Sequence, residues 1–294
     1  MRTFAAFLLA LPLLGQEPAP LLEAKLMERL RQIDQRFDGV MGVAILDLAT
    51  GKTLALNGDL VTAQASLIKV PILAAAFQKI ESGALALDQK VELTEKDKAG
   101  GSGTLDARLG PQPVAVTVEE LLTLMIRDSD NTATNKIIAL TGMDSVNQLM
   151  AQLGLRSTRL RRIMMDSAAA KRNDENTSTP LEMARLFEFI YRERLISRNA
   201  SRRMIEMLKL VQADFRAALP RGVASASKPG AVPGVRTEAG IVFLEGRPYI
   251  LSVMCSLAAG NSNPIRDVVE AVHSHFVRIA QSNRYGHRVS EPIY

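Results

Sequence analysis

Residues 63–71 read Ala-Gln-Ala-Ser-Leu-Ile-Lys-Val-Pro, and within them Ser66 and Lys69 stand three residues apart at the start of a helical run. A serine at a helix N-terminus faces unpaired backbone N–H groups and the positive end of the helix dipole, which favours nucleophilic attack by its oxygen. Lys69 lies on the same helix face one turn later, within reach of the hydroxyl. A lysine that is partly desolvated loses its proton more easily. The stretch therefore predicts a serine nucleophile with a lysine base.

A second motif is needed, because S-x-x-K arises by chance about once in a chain of this length. Ser225-Ala-Ser-Lys228 is another match, so at least one of the two is accidental. The tripeptide Ser129-Asp-Asn131 follows an apolar helix and is predicted to lie on a loop between helices. Its serine could pass a proton to a leaving nitrogen, and its asparagine could hold an acyl carbonyl. The alternative interpretation is a polar loop with Asx-type turns.

The hydrophobic pattern gives the order of the elements around these motifs. It predicts a helix over 22–37, strands over 40–48 and 53–56, a stretch over 66–210 that is helical almost throughout, strands over 240–244 and 249–257, and a last helix over 264–280. The predicted fold is α/β (α+β), with an antiparallel sheet flanked by N- and C-terminal helices and an inserted all-α lobe. The α/β lobe spans about 20–61 and 212–294, and the all-α lobe about 62–211.

The N-terminus predicts export. Arg2 is followed by an apolar run over 4–14, the pattern of a signal peptide covering residues 1–15. The run is too short to span a bilayer, although an uncleaved anchor is the alternative. We therefore expect a periplasmic or secreted protein without a stable membrane anchor. The single cysteine, Cys255, allows no intramolecular disulfide and is expected to be buried and inert.

Composition and histidine placement exclude several classes of function. Hydrophobic residues make up 47% and charged residues 23% of the chain, as in soluble globular proteins. The net charge of +5 is spread along the helices, so no nucleic-acid partner is expected. His273 and His275, two residues apart, point to different helix faces, which disfavours a metal pair. The chain also lacks G-x-S-x-G, so a Ser-His-Asp hydrolase is not indicated.

The third motif is Lys228-Pro-Gly-Ala231, which opens a strand hairpin near the C-terminus. Together with the first two, it makes the sequence resemble class A β-lactamases and penicillin-binding proteins. Their motifs, in chain order, are S-x-x-K, S-D-N and K-S/T-G. The resemblance covers nearly all of the chain after the signal. It implies a β-lactamase/transpeptidase-like fold and hydrolysis through an acyl-enzyme, with no cofactor and no metal.

The resemblance also implies roles for single residues. Ser66 would be the nucleophile and Lys69 its base, and Ser129 would be the proton shuttle. Asn131 would hold the substrate amide, and Lys228 would hydrogen-bond Ser129 and keep the site positive for a carboxylate. The backbone N–H groups of Ser66 and Ala231 would form the oxyanion hole, with Gly230 also lining the substrate site. The substrate would be a small β-lactam or a peptidoglycan peptide, and the protein a monomer.

Two departures from the family pattern bear on function. Pro229 replaces the hydroxyl residue of the third motif, and a proline is tolerated only if this strand lies at an edge of the sheet. The family's loop glutamate, which activates the deacylating water, has no counterpart over 161–170. The nearest carboxylates are Asp166, Asp174 and Glu175. Asn176 replaces an aspartate that closes the loop by a salt bridge, so a differently folded loop is expected.

Three functions remain open from the sequence. The first is a β-lactamase that deacylates through a substitute base. The second is a relative that acts on peptidoglycan peptides or esters. The third is a binding protein that has lost turnover, which the presence of Ser66, Lys69, Ser129 and Lys228 together disfavours.

Overall fold

The structure is a computed structural model that describes residues 18–289, so the predicted signal peptide at 1–15 lies outside the described residues. The described part contains α-helices and strands whose bounds are as follows. The helices are α1 (Pro18–Arg36), α2 (Lys69–Glu81), α3 (Val118–Arg127), α4 (Asn131–Thr141), α5 (Met143–Gln152), α6 (Ser167–Lys171), α7 (Pro180–Tyr191), α8 (Arg198–Lys209), α9 (Asp214–Ala218) and α10 (Ile265–Ala280). The strands are β1 (Val40–Asp47), β2 (Thr53–Leu56), β3 (Thr62–Ala63), β4 (Lys90–Leu93), β5 (Val114–Thr117), β6 (Thr177–Ser178), β7 (Ala224–Val232), β8 (Val235–Phe243) and β9 (Tyr249–Ser256).

The main sheet has five antiparallel strands in the order β2-β1-β9-β8-β7. Strands from both ends of the chain meet where β1 pairs with β9. Strand β7 lies at an edge and pairs only with β8, and Pro229 stands opposite Glu238 in this pair. The expectation that Pro229 requires an edge strand is therefore confirmed. The missing N–H of the proline leaves no gap in the interior of the sheet.

One face of the sheet is covered by α1 and α10. Leu30 of α1 and Phe276 of α10 belong to the same apolar cluster as the inward residues of β1 and β9. The ring of Phe276 stacks on Tyr249, with ring centroids 4.3 Å apart. The first and last helices thus flank the sheet as the sequence predicts, because their apolar faces bury against it.

The other face packs against the helices inserted between β2 and β7. Phe77 of α2 and Phe187 of α7 lie in one large cluster with the sheet residues Ala226 and Ile241. The fold class, an antiparallel sheet with flanking helices and an inserted helical lobe, is confirmed. No helix within residues 18–289 is long and apolar enough to cross a membrane.

Two details of the helical stretch differ from the sequence prediction. It contains the short ribbon β4–β5, and its strand β6 pairs with β3 just before the stretch begins. Val91 pairs with Val116 in the ribbon β4–β5, and such β-branched pairs favour strands even in short segments. The helical run also begins with a 3-10 turn, Ala65–Ile68, before α2 starts at Lys69.

The strand predicted over 240–244 is longer than expected. Strand β8 begins at Val235, because a tight turn at Pro233 and Gly234 returns the chain directly from β7. Gly234 has φ +76°, a left-handed conformation that glycine adopts without strain. Helices α3 and α7 follow directly after Thr117 and Thr179, and each threonine side chain accepts a hydrogen bond from a backbone N–H of the first turn.

Candidate active site

The nucleophile candidate lies where the edge of the sheet meets the helical lobe. Ser66 is in the 3-10 turn that precedes α2, and Ala65 before it has a left-handed backbone with φ +47°. Non-glycine residues in this region are strained, and such strain is concentrated at functional sites. Lys69 is fully buried, and its Nζ lies 2.9 Å from the Oγ of Ser66. The structure therefore brings the two residues together as the spacing predicts.

The other contacts of Lys69 occupy the N–H groups of its neutral amine and leave the lone pair for the serine. Its Nζ lies 2.7 Å from the backbone oxygen of Ser129 and 2.9 Å from Oδ1 of Asn131. Both oxygens can only accept hydrogen bonds, so they take two N–H groups of the amine. A neutral amine has only two, so its lone pair is then left for a hydroxyl. In that form Lys69 can accept the proton of Ser66.

The electrostatics of the site favour this neutral form. Burial lowers the pKa of Lys69 well below its usual value, and the nearby charge of Lys228 lowers it further. The carboxylate of Asp130 acts in the opposite direction and raises the pKa of Lys69. Desolvation is the largest of these causes, because a charged ammonium loses its hydration in the interior. Lys69 therefore has the properties of a general base.

Ser129 lies between the two lysines of the site. It is on the loop between α3 and α4, where the sequence predicts it, and it has a left-handed backbone with φ +56°. Its Oγ lies 3.1 Å from Nζ of Lys69 and 3.1 Å from Nζ of Lys228. A hydroxyl that contacts two amines can receive a proton from one side and pass it on from the other.

Asp130 holds the loop that presents Ser129. Its carboxylate accepts a hydrogen bond from the backbone N–H of Ala133 and so caps α4. The same carboxylate accepts 2.8 Å hydrogen bonds from the backbone N–H groups of Thr104 and Leu105. Because Asp130 is buried, these bonds tie the loop over 100–105 to the start of α4.

Asn131 is the first residue of α4, and its side-chain amide makes two hydrogen bonds. Its Oδ1 accepts from Lys69, and its Nδ2 donates to the backbone oxygen of Gly100 at 3.0 Å. Gly101 has φ +75°, and a Cβ there would lie 2.7 Å from Nδ2 of Asn131 and 2.8 Å from Sδ of Met165. The loop residue Met165 therefore borders the site beside Asn131, and its side chain is about half exposed.

Strand β7 brings Lys228 and Gly230 to the nucleophile. Lys228 is buried, and burial lowers its pKa to about 7, although the charge of Glu238 opposes this shift. A Cβ at Gly230 would lie 2.8 Å from the backbone nitrogen of Ser66, so only glycine allows this approach. Ala231, the next residue, is exposed at the edge of the sheet. Position 229 provides no side-chain hydroxyl, as the sequence shows.

The second S-x-x-K match is resolved by its secondary structure. Ser225 and Lys228 both lie in strand β7, where residues three apart point to opposite faces of the sheet. They cannot form a nucleophile and base pair. Lys228 therefore belongs to the third motif alone.

The loop over 161–176 is closed without the salt bridge that is typical of the family. The side chain of Asn176 accepts hydrogen bonds from the backbone N–H groups of Arg161 and Arg162, at 2.8 and 3.1 Å, and donates to the backbone oxygen of Arg162. An amide can do this because it carries both donors and acceptors. On the other side of the loop, Asn135 exchanges two hydrogen bonds with the backbone of Met164.

Each of the three nearest carboxylates of this loop is engaged elsewhere. Asp166 caps α6. Glu175 forms two hydrogen bonds with Arg162, at 3.0 and 3.1 Å, and Asp174 pairs with Arg172 at 3.4 Å. None of these contacts directs a carboxylate to Ser66.

One buried charged residue behind the site escaped the sequence analysis. Glu238 of β8 is fully buried, and burial raises its pKa to about 7. The sequence offers one weak signal, which is that Glu238 directly precedes the apolar run over 239–244. The strand predicted over 240–244 begins after this residue, so the sequence pattern does not predict its burial.

The histidines and the cysteine behave as structural residues. His273 and His275 are both buried, and burial lowers their pKa, that of His275 to about 4. Within residues 18–289, no group of three or more His, Cys, Asp or Glu side chains is placed to hold a metal ion. Cys255 is buried as predicted, and burial raises its pKa to about 12.

Comparison with known proteins agrees with this geometry. The chain matches the sequence model of the beta-lactamase enzyme family over residues 25–276. It is similar to beta-lactamase CTX-M-8 of Citrobacter amalonaticus, with 27% identity over an alignment of 266 residues that covers 88% of this chain and 90% of that protein. The crystal structure of a beta-lactamase from Sphaerobacter thermophilus superimposes with a TM-score of 0.79, at 27% identity, covering 87% of this chain and 97% of that one.

A penicillin-binding protein is equally similar. A mutant of PBP-A, solved as an acyl-enzyme complex with penicillin G, superimposes with a TM-score of 0.78 at 27% identity. The match covers 87% of this chain and 97% of that one. The resemblance that the three motifs indicate is thereby confirmed.

Proposed function

The chain belongs to the beta-lactamase enzyme family, and on that premise we propose that it opens β-lactam rings through an acyl-enzyme formed on Ser66. The observation that carries the proposal is the set of hydrogen bonds among Ser66, Lys69 and Ser129. It contains a nucleophile, a base with a lowered pKa and a hydroxyl for proton transfer.

Acylation can be written with these groups alone. The hydroxyl proton of Ser66 passes to the lone pair of Lys69, while Oγ attacks the lactam carbonyl carbon. The negative oxygen of the tetrahedral intermediate would be held by the backbone N–H groups of Ser66 and Ala231. The intermediate then collapses and the carbon–nitrogen bond breaks. Ser129 gives its proton to the leaving nitrogen and regains one from Lys69.

Lys228 has two roles in this proposal. Its ammonium donates to the Oγ of Ser129, which orients that hydroxyl, and it places a positive charge where a substrate carboxylate would bind. The substrate site receives no hydroxyl from Pro229. We therefore infer weaker recognition of the carboxylate than in a relative with serine or threonine at this position.

Hydrolysis is completed when water attacks the ester carbon, the bond to Oγ of Ser66 breaks, and Oγ regains its proton. We infer that this half-reaction is slow. The carboxylates of Asp166, Asp174 and Glu175 are all engaged elsewhere. An acyl-enzyme would then persist before it is hydrolysed.

A second candidate follows from the same observation. An enzyme that acylates readily and deacylates slowly fits a penicillin-binding peptidase or esterase, for which a β-lactam is a poor substrate or an inhibitor. The similarity to PBP-A, a protein solved as an acyl-enzyme with penicillin G, supports this alternative. Its natural substrate would be a peptidoglycan-type peptide or an ester.

Such a protein would act outside the cytoplasm. The apolar run over 4–14 supports export by a signal peptide, and we propose a periplasmic or secreted monomer. Fractionation of cells that express the full chain, followed by N-terminal sequencing, tests the location and the cleavage site. Recovery of the uncleaved chain in the cytoplasm would contradict it.

The test of the main proposal is intact mass spectrometry after mixing with penicillin G, followed over time. The wild type should gain the mass of one intact penicillin and then lose it as the hydrolysed product is released. Ser66→Ala should gain nothing. Acylation of both proteins would show that Ser66 is not the nucleophile. Cleavage of a peptidoglycan peptide faster than penicillin would favour the second candidate.

A further inference from the structure

Glu238 is held behind the edge strand of the active site by two hydrogen bonds. Its Oε1 accepts from the Oγ of Ser227 at 2.7 Å, and its Oε2 accepts from the backbone N–H of Phe215 at 3.3 Å. The side chain is fully buried. A carboxyl group that is removed from water in this way needs a compensating role or partner, because burying it is costly.

The two faces of β7 place Glu238 directly behind Lys228. Ser227 and Lys228 are consecutive in the strand, so their side chains point to opposite faces. Lys228 reaches Ser129 on the side of the helical lobe. Ser227 contacts Glu238 on the other side, where Phe215 packs in the cluster of α1 and α10. One strand of the sheet therefore separates a buried acid from the buried lysine of the active site.

The charged groups around Glu238 are few. Lys228 lies across β7, Asp214 of α9 lies beside it, and Arg266 of α10 interacts with it more weakly from the surface. Lys228 in turn faces Lys69, whose own proton is easily lost. The charge of Glu238 raises the pKa of Lys228, against the larger effect of burial.

We propose that Glu238 is a positioning residue for acyl transfer: its carboxyl group anchors the edge strand through Ser227 and, when ionised, places across the sheet a negative charge that favours the protonated form of Lys228. The inference rests on the proposed function, in which the ammonium of Lys228 orients Ser129. If Lys228 lost its proton, one donor to the Oγ of Ser129 and the positive charge for the substrate carboxylate would both weaken.

The direct test is the pKa of Lys228 itself, because it can be measured without any substrate. Lysine labelled with ¹³C at Cε is titrated by NMR in the full chain, and the Lys228 signal is assigned with Lys228→Arg. In Glu238→Gln the pKa of Lys228 should fall by about half a unit to one unit, since an opposite charge in a low dielectric has been removed. An unchanged pKa would overturn the proposal.

The acylation rate gives an independent readout. The high-pH limb of the rate constant for penicillin labelling should move to lower pH in Glu238→Gln by the same amount as the NMR pKa. A uniform loss of rate with no movement of the limb would mean that Glu238 is only structural, and would overturn the proposal. Glu238→Asp keeps the charge and should restore most of the wild-type profile.

Two further variants distinguish a specific effect of Glu238 on Lys228 from a general loss of structure. Ser227→Ala removes the hydrogen bond that lowers the pKa of Glu238, so it should shift the pKa of Lys228 in the same direction but less. This variant serves if Glu238→Gln does not fold. Glu182→Gln is the matched control, because the carboxylate of Glu182 is likewise held by backbone and hydroxyl donors but lies in the helical lobe. It accepts from the backbone N–H groups of Ser157 and Thr158 at 2.9 and 2.7 Å and from Oγ1 of Thr158 at 2.7 Å. A shift of the Lys228 pKa as large as that in Glu238→Gln would contradict a specific effect.

These outcomes separate the inference from the proposed function. If the wild type is not acylated at Ser66, the proposed function fails, while the NMR titration still decides whether Glu238 holds the proton on Lys228. If the wild type is acylated and the titration shows no shift, only the inference fails.

Discussion

The Oδ1 of Asp166 accepts a hydrogen bond from the backbone N–H of Ala169 at 2.9 Å, which places the carboxylate at the N-cap of α6. Asp166 is one of the three carboxylates nearest to the place of the missing loop glutamate. Its observed contact stabilises the short helix, because an N-cap side chain satisfies a backbone donor that has no partner within the helix.

A structural role for Asp166 predicts a specific pair of results. Asp166→Ala should lower the free energy of unfolding by about 1 kcal/mol, whereas Asp166→Asn, which can also cap, should change it little. Neither should slow deacylation, because the side chain is not proposed to activate water. Urea denaturation and the decay of the acyl-enzyme by mass spectrometry measure the two effects. A deacylation rate that falls tenfold or more in Asp166→Asn would make Asp166 the base.

The contacts of Lys69 and Ser129 predict a loss of acylation without a loss of fold. Lys69→Ala and Ser129→Ala should each slow acylation by about 10²–10⁴-fold, the usual contribution of a general base or a proton relay. Because burial lowers the pKa of Lys69, falling pH should slow wild-type acylation as it protonates Lys69, and this decline should lie at lower pH than for a lysine with the ordinary pKa. Stopped-flow labelling across pH, with circular dichroism as the control for folding, checks both. An unchanged rate in either variant would remove that residue from the mechanism.

Local sequence rules predict much of this fold. Strand β2 begins and ends at Thr53 and Leu56 as predicted, since a turn over 50–52 separates two apolar segments. The meeting of Ser66 and Lys69 also follows from sequence, because it depends on one helical turn. Both features are set by residues close together along the chain.

Other features depend on residues far apart in the chain, and local rules do not predict them. Strand β3 has only two residues and exists because Thr62 pairs with Ser178, more than a hundred positions later. In the sequence, Asn176 in place of the family's aspartate indicates that the salt bridge closing the loop is lost. In the structure its amide matches a donor and an acceptor on the backbone of Arg162. The three-dimensional path of the loop is needed to recognise this replacement.

The burial of His275 predicts a loss of stability in acid. Its pKa in the folded protein is about 4, against 6.5 for the ordinary side chain. As pH falls below 6.5 the unfolded chain takes up a proton that the folded protein cannot, so the unfolded state is favoured. Between pH 6.5 and 4 this group should remove roughly 2–3 kcal/mol from the free energy of unfolding. Urea denaturation at several pH values measures it.

The matched variants are His275→Leu and His287→Leu. The first removes the buried group and should flatten the dependence of stability on pH, whereas the second changes an exposed side chain and should leave the dependence as it is. Equal slopes in His275→Leu and the wild type would show that other groups cause the acid sensitivity.

Pro229 predicts a defect in substrate recognition that is separate from turnover. Because β7 is an edge strand, replacing the proline by threonine adds a hydroxyl and an N–H without disturbing the pairing with β8. Pro229→Thr should raise the second-order rate constant of acylation and leave deacylation nearly unchanged. Pro229→Val, which restores the N–H but not the hydroxyl, is the control. Equal acylation by the two variants would show that the hydroxyl is not what the wild type lacks.

The last prediction concerns which half-reaction limits turnover. Acylation uses Ser66, Lys69 and Ser129, which the structure brings within hydrogen-bonding distance. Deacylation needs a base beside the ester, and the acids of the loop are engaged as a cap or in ion pairs. The absence of such a base typically slows a reaction by about 10²–10⁴-fold, or roughly 3–5 kcal/mol in barrier.

Hydrolysis of a chromogenic β-lactam should therefore show a burst of one product equivalent per enzyme, followed by a slower steady rate. The burst should disappear in Ser66→Ala and persist in Pro229→Thr, because the proline affects only the first encounter. The amplitude of the burst is measured by rapid mixing, and the concentration of active sites is measured by mass spectrometry. A ratio of one shows that acylation is fast and deacylation is slow. If no burst appears and the steady rate is fast, another group activates the water, and Glu175 freed from Arg162 would be the first to mutate. A burst followed by a slow steady rate would instead show that hydrolysis of the ester is the slow step. The structure accounts for this, because the loop residue at the border of the site is Met165. The loop carboxylates of Asp166, Asp174 and Glu175 are all engaged in other contacts.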